Sequence, residues 1–93
     1  IDWWDGLEAV PTITKLRRHM EEIREQELLK ALSRMGSDFS DRERKVVEAL
    51  TKGLLNKILH GPTTALRAPQ PRAQRLSTMQ ALERLFDLQN PSE

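Results

Sequence analysis

Residues 50–67, LTKGLLNKILHGPTTALR, constrain this chain more than any other stretch. They begin as a helix too apolar for a solvated surface, and His60-Gly61-Pro62 then predicts a break and a restart. With the residues just before, the apolar set is Val46, Val47, Ala49, Leu50, Leu54, Leu55, Ile58 and Leu59, which covers more than one helical face. Val47, Leu50, Leu54 and Ile58 form one stripe, and Val46, Leu55 and Leu59 are placed beside it. One stripe can pack on a neighbouring helix, and the other needs a different partner. At 93 residues the chain builds one small domain with a modest core. A second copy is therefore expected to cover what the first leaves bare.

The chain around this stretch reads as helix throughout. Leu, Glu, Lys, Arg, Gln and Ala dominate and Tyr is absent, which argues against strands. Val10-Pro11-Thr12 marks a helix start, because proline in the first turn lacks only an N–H that has no helical partner. A long amphipathic helix runs from there to about residue 34. Ile13, Leu16, Met20 and Ile23 step along one face, and the stripe then drifts to Leu28, Ala31, Leu32 and Met35. Arg17, Glu21, Glu22, Arg24, Glu25 and Lys30 supply a solvated face with charge pairs one turn apart. Glu27 falls where an apolar residue is due, so it is expected either at the edge of the seam or paired with a basic side chain, Arg24 being the nearest candidate.

Gly36 ends this helix in a conformation of positive φ. Ser40 and Glu43 then form an S-x-x-E capping box that opens a helix over about 41–59. So short a connection makes the two long helices antiparallel neighbours. Within the second, Gly53 lowers helix propensity, a cost that is tolerable if it lets another backbone approach closely, and Asn56 is read either as a register-fixing polar group or as a solvated one. Gly61 is expected to end that helix, with His60 as a cation at its C-terminus. Residues 68–75, APQPRAQR, read as a Pro-rich extended linker. Ser77 and Gln80 then suggest a second capping box, opening a short amphipathic helix through Met79, Leu82, Leu85 and Phe86 to about Leu88, stopped by Asn90-Pro91. Residues 1–9 look like the end of a helix begun upstream, and an opening on Ile1 reads as a piece of a longer protein. At least one of Trp3 and Trp4 is expected to pack into a core or a dimer seam. The fold class that follows is all-α: an antiparallel bundle of two long helices plus short C-terminal helices, completed by dimerisation.

Composition narrows function chiefly by exclusion. A net charge of +1, from 15 basic and 14 acidic residues, is not that of a dedicated nucleic-acid or membrane-surface binder. With no cysteine there is no disulfide, thiolate nucleophile or sulfur-ligated metal, which fits a reducing compartment. No apolar run approaches the roughly 18 residues of a membrane span, and no signal peptide is visible. Neither a Ser-His-Asp arrangement nor a G-x-G-x-x-G loop occurs. His19 and Glu22 share a helical face, but no second ligand pair matches them, so no metal site is assigned. No catalytic or cofactor-binding residue is assigned either. Arg67, Arg72 and Arg75 form a local basic cluster and are the candidate tRNA or phosphate contacts. The candidate dimer-interface and core residues are Ile13, Leu16, Met20, Ile23, Val47, Leu50, Leu54, Leu55, Ile58 and Leu59.

Three pieces carry a family resemblance. They are Val10-Pro11-Thr12-Ile13 with Leu16-Arg17, then Ile23-Arg24 with Glu27-Leu28, then residues 56–63, NKILHGPT, with Leu66-Arg67. Together, over about residues 3–88, they resemble the C-terminal dimerisation domain of glutamyl-tRNA reductase, with a tail most similar to the cyanobacterial and plant branch. The resemblance implies a homodimer held by this domain, and residues 1–9 as the end of a spinal helix leading into a helical domain over 10–93. It implies a parent enzyme that reduces glutamyl-tRNA to glutamate-1-semialdehyde with NADPH in haem and chlorophyll synthesis. The catalytic cysteine and the NADPH domain would lie elsewhere in that parent, so these residues alone should be inert. It further implies a cytoplasmic setting, or the plastid stroma for a plant-type source, and a helical-repeat regulatory protein as a possible partner.

Overall fold

The structure, a computed structural model, describes residues 7–88. Three helices account for nearly all of them: α1 spans Val10–Met35, α2 spans Asp41–Arg67 and α3 spans Arg72–Leu85. No strand occurs among the described residues, and the all-α expectation is met. Trp3, Trp4 and the Asn90-Pro91 stop lie outside the described residues. Of the expected spinal-helix end, Leu7 and Glu8 are helical and Ala9 interrupts as a turn.

Helix α1 starts with Pro11 in its first turn and ends at Gly36, whose φ of 71° and ψ of −155° lie in a region that side chains with a Cβ avoid. The Gly36 N–H donates to the Leu32 carbonyl, closing the helix. A 3₁₀ turn over Gly36–Asp38 hands the chain to the predicted capping box, present in full. The Glu43 N–H donates to Ser40 Oγ at 3.1 Å, and the Ser40 N–H donates to Glu43 Oε1 at 2.9 Å. The two long helices are antiparallel: Arg17 reaches Asn56 and Arg24 reaches Thr51, so rising numbers on α1 meet falling numbers on α2.

Two boundaries differ from the expectations. Helix α2 does not stop at His60-Gly61-Pro62 but runs on to Arg67 with Pro62 inside it. Proline removes the N–H that Ile58 O would accept and normally crowds the residue before it. Here that residue is Gly61, which has no Cβ to clash, and Ile58 sits on an exposed face where water can serve its carbonyl. Buried Leu59 and Leu66, on either side of the proline, anchor the helix across it. His60 is consequently an exposed mid-helix residue rather than a cap. The extended linker is also shorter than expected. Helix α3 begins at Arg72, with Pro71 as its N-cap at ψ 140°. The Pro71 carbonyl accepts from the N–H groups of Gln74 and Arg75, a role that needs no N–H of its own. Ser77 therefore lies inside α3 and the second capping box does not form; Thr78 Oγ1 instead donates back to the Gln74 carbonyl.

Helix α3 folds back across the hairpin. Its end is a Schellman turn: Asp87 takes φ 55°, its N–H donates to Arg84 O, and the Leu88 N–H donates to Glu83 O at 2.8 Å. The turn delivers Leu88 into a core with Leu16, Leu55 and Leu59, flanked by Met20, Leu82 and Phe86. Burying each such leucine is worth roughly 1.5–3 kcal/mol. Ala9, Thr12, Leu66 and Arg75 are also buried, outside that cluster.

Candidate dimerisation surface

The two stripes of α2 separate. Leu55 and Leu59 turn into the core, and Leu66, further along α2, is buried outside that cluster. Val46, Leu50, Leu54 and Ile58 face outward at 63, 60, 54 and 58 % exposure. Val46 belongs with the outward stripe, contrary to the grouping read from the sequence. It lies nine residues from Leu55, about two and a half turns and hence the opposite side, but four from Leu50, about one turn. Four-residue spacing to Leu50 was the signal that places it.

The candidate residues thus divide by environment. Leu16, Leu55 and Leu59 are core; Ile13, Met20 and Val47 are half-buried; Ile23, Leu50, Leu54 and Ile58 are exposed. The predicted drift of the α1 stripe is seen, with Leu28 buried, Ala31 and Leu32 half-buried, and Met35 40 % exposed at the helix end. Between Val46 and Ile58 the outward stripe carries one charge, Lys57, in about 18 Å of helix. Four large aliphatic side chains more than half exposed on one helix face form an apolar patch that calls for a partner.

Polar contacts hold the hairpin and leave that stripe alone. The Arg24 guanidinium donates to Glu21 at 2.6 Å and to Thr51 Oγ1 at 3.3 Å. The bond to Glu21 raises its pKa above the ordinary guanidinium value. Glu27 pairs with Lys30 at 3.2 Å, one turn on, rather than with Arg24. Asn56 accepts from Arg17 at 3.2 Å, so its cross-helix contact is within the chain. An open cleft of about 250 Å³ is lined by Arg24, Glu25, Leu28, Leu29 and Glu48, and its one cation is already engaged.

The three arginines of the basic cluster go separate ways. Arg67 is exposed. Arg72 closes on Glu8, with nitrogen-to-oxygen distances of 2.7–3.1 Å. Arg75 is 1 % exposed, and its Nε and Nη2 each donate at 2.9 Å, to the carbonyls of Leu66 and Ala68. Gln70 adds a bond to Ala65 O at 2.7 Å. These side chains satisfy carbonyls at the end of α2 that helix geometry leaves without partners. Arg75 is a helix cap from nine residues downstream, a role no local motif announces. His19 packs half-buried against the Phe86 ring at a centroid distance of 6.2 Å. No group of three or more His, Cys, Asp or Glu that could hold a metal occurs among the described residues, and no helix among them is long and apolar enough to cross a membrane.

A helical hairpin crossed by a third helix, with one apolar face of α2 uncovered, defines a class: a small all-helical association module. Comparison with known proteins narrows the class. The family model described as glutamyl-tRNA(Glu) reductase, dimerisation domain, matches residues 1–88, and the chain belongs to that family. It is 80 % identical over 88 residues to a glutamyl-tRNA reductase of Synechococcus sp. (strain RCC307), covering 95 % of this chain and 20 % of that protein. Its identity to the glutamyl-tRNA reductase of Synechococcus sp. (strain WH7803) is 68 % over 89 residues, covering 96 % and 20 %. To that of Prochlorococcus marinus (strain MIT 9313) it is 61 % over 93 residues, covering 100 % and 21 %. The chain therefore spans about a fifth of the length of the curated relatives it matches, and these relatives are cyanobacterial.

Proposed function

We propose that this chain homodimerises a glutamyl-tRNA reductase. The single observation that carries the reading is the outward stripe of Val46, Leu50, Leu54 and Ile58, uncovered in one copy of a chain whose family is a dimerisation domain. Residues 1–9 close the spinal helix on this reading, and residues 10–93 form the association domain. Leu50, Leu54 and Ile58 lie in the interface, with Ile23 of α1 as a further exposed aliphatic contact, while Leu16, Leu55 and Leu59 support them from the core. The parent protein reduces glutamyl-tRNA to glutamate-1-semialdehyde for tetrapyrrole synthesis in the cytoplasm. NADPH does not fit the described residues: Gly36 caps the end of α1 and Gly53 and Gly61 lie inside α2, so these glycines form no phosphate-cradling loop. The cofactor's site belongs to other parts of the parent. A helical-repeat regulator, if the parent binds one, docks on surface outside the stripe that a second copy covers. The arginines give tRNA little to hold, since Arg72 is paired and Arg75 is internal.

The test is mass in solution. The chain should run as a dimer by light scattering, and Leu54→Asp should give a helical monomer, because a buried unpaired carboxylate costs several kcal/mol. A wild-type chain that stays monomeric at high concentration overturns the reading.

A further inference from the structure

Resting on the dimer reading above, we infer that α2 packs antiparallel on α2 of a second copy, about a two-fold axis at Leu50. The residues around Leu50 on the exposed face are arranged for such a pairing. In a helix, positions three, four and seven residues away on either side share the face of the central residue. For Leu50 these are Val46 and Val47, Gly53 and Leu54, and, one turn further, Glu43 and Lys57. Six of the seven are exposed and Val47 is half-buried. A two-fold axis makes a surface meet itself, so this pattern has to complement its own copy.

Antiparallel packing about Leu50 pairs position 50 − n with 50 + n of the partner. Glu43 then meets Lys57, opposite charges at both rims. Val46 meets Leu54, two exposed aliphatics. Val47, with its branched Cβ, meets Gly53, which has no side chain to oppose it. Parallel packing pairs each position with itself: Glu43 with Glu43 and Lys57 with Lys57, like charges at both rims, and Gly53 with Gly53, a gap. The charge pattern therefore selects the antiparallel arrangement, as complementary rim charges fix register elsewhere. Gly53 gives independent support. A Cβ built there meets nothing within 4 Å, so packing inside the protomer does not require glycine. Yet glycine in a helix interior costs roughly 0.5–1 kcal/mol against alanine. A close approach from outside the protomer accounts for it. Gly61 needs no such account, because it precedes Pro62.

Because the chain has no cysteine, introduced thiols report the register directly. Single variants Val46→Cys, Leu50→Cys and Leu54→Cys are oxidised alone and as a mixture of Val46→Cys with Leu54→Cys. A disulfide needs Cα atoms within about 7 Å, whereas positions 46 and 54 of one helix are about 12 Å apart. Leu50→Cys should crosslink to itself. The Val46→Cys and Leu54→Cys mixture should give mixed dimers severalfold above the self-dimers of either variant. The same substitutions in the longer parent, read as joined peptides by mass spectrometry, give the register in the intact protein. Self-crosslinking of Val46→Cys and of Leu54→Cys without enrichment of the mixed product indicates parallel packing and overturns the inference. A dimer by light scattering in which none of the three positions crosslinks overturns it too, while leaving dimerisation standing. A monomeric wild-type chain overturns the dimer reading itself.

Discussion

Glu43 shows how one side chain ties helix formation to pH. Its carboxylate accepts the Ser40 N–H, and its own N–H is held by the Ser40 hydroxyl. The bond from the Ser40 backbone, followed by the contact with the Ser40 side chain, pulls the Glu43 pKa below the ordinary carboxylate value. A pKa that is lower in the folded state than in the unfolded one means folding favours the ionised form. That contribution is complete above the ordinary carboxylate range and is lost as pH falls through it and on to the folded value. The unfolding midpoint in urea should therefore fall on acidification. Glu43→Gln keeps an acceptor for the Ser40 N–H and cannot titrate, so it should show a smaller fall than the wild-type chain. Equal falls in the two proteins would mean that the ionised carboxylate adds nothing beyond a neutral acceptor. Arg75 makes the complementary point at the other end of α2, where a buried cation answers helix carbonyls.

Among the helices, the features legible in the sequence were those whose physics is local. Pro11, Gly36 and the Ser40–Glu43 box act on backbone groups within one turn, and each stands where it was expected. Pro62, Pro71 and Ser77 were misread because what a breaker does depends on what its neighbours supply. Gly61 relieves the crowding before Pro62, and leucines on both sides hold the helix through it. Pro71 ends a linker by capping a helix, and Ser77 is overtaken by a helix already under way. Arg75 was read as a candidate phosphate contact because the carbonyls it serves belong to a different helix. If Pro62 is tolerated rather than required, restoring the missing N–H should help. Pro62→Ala is expected to raise stability by about 1–3 kcal/mol, since proline in a helix interior costs about 3 kcal/mol against alanine. Chemical denaturation followed by circular dichroism measures this. A loss of stability instead would show that a bend at Pro62 is needed to seat Leu66 and the cap by Arg75.

The whole molecule is a slab, 54 × 27 × 15 Å, with a radius of gyration of 16.7 Å. A compact domain of this length would measure about 12 Å. A body scarcely thicker than one helix with its side chains, about 10–12 Å, encloses little, which is why α2 buries one apolar stripe and shows the other. The surplus was legible in the sequence as too many aliphatic residues for one face. Which stripe turns inward was not, because the fold-back of α3 decides it by bringing Leu82, Phe86 and Leu88 onto Leu55 and Leu59. Such a slab should draw much of its stability from association, and association is governed by mass action. Unfolding should therefore depend on protein concentration. For a dimer that unfolds to separate chains, each tenfold increase adds about 1.4 kcal/mol to apparent stability, so the thermal midpoint should climb steadily across a dilution series. Leu54→Asp, expected to be monomeric, should melt lower and at one temperature regardless of concentration. If the wild-type midpoint is equally indifferent to dilution, the exposed stripe of α2 is not what holds two copies together, and the core of Leu16, Leu55, Leu59 and Leu88 sustains the fold unaided.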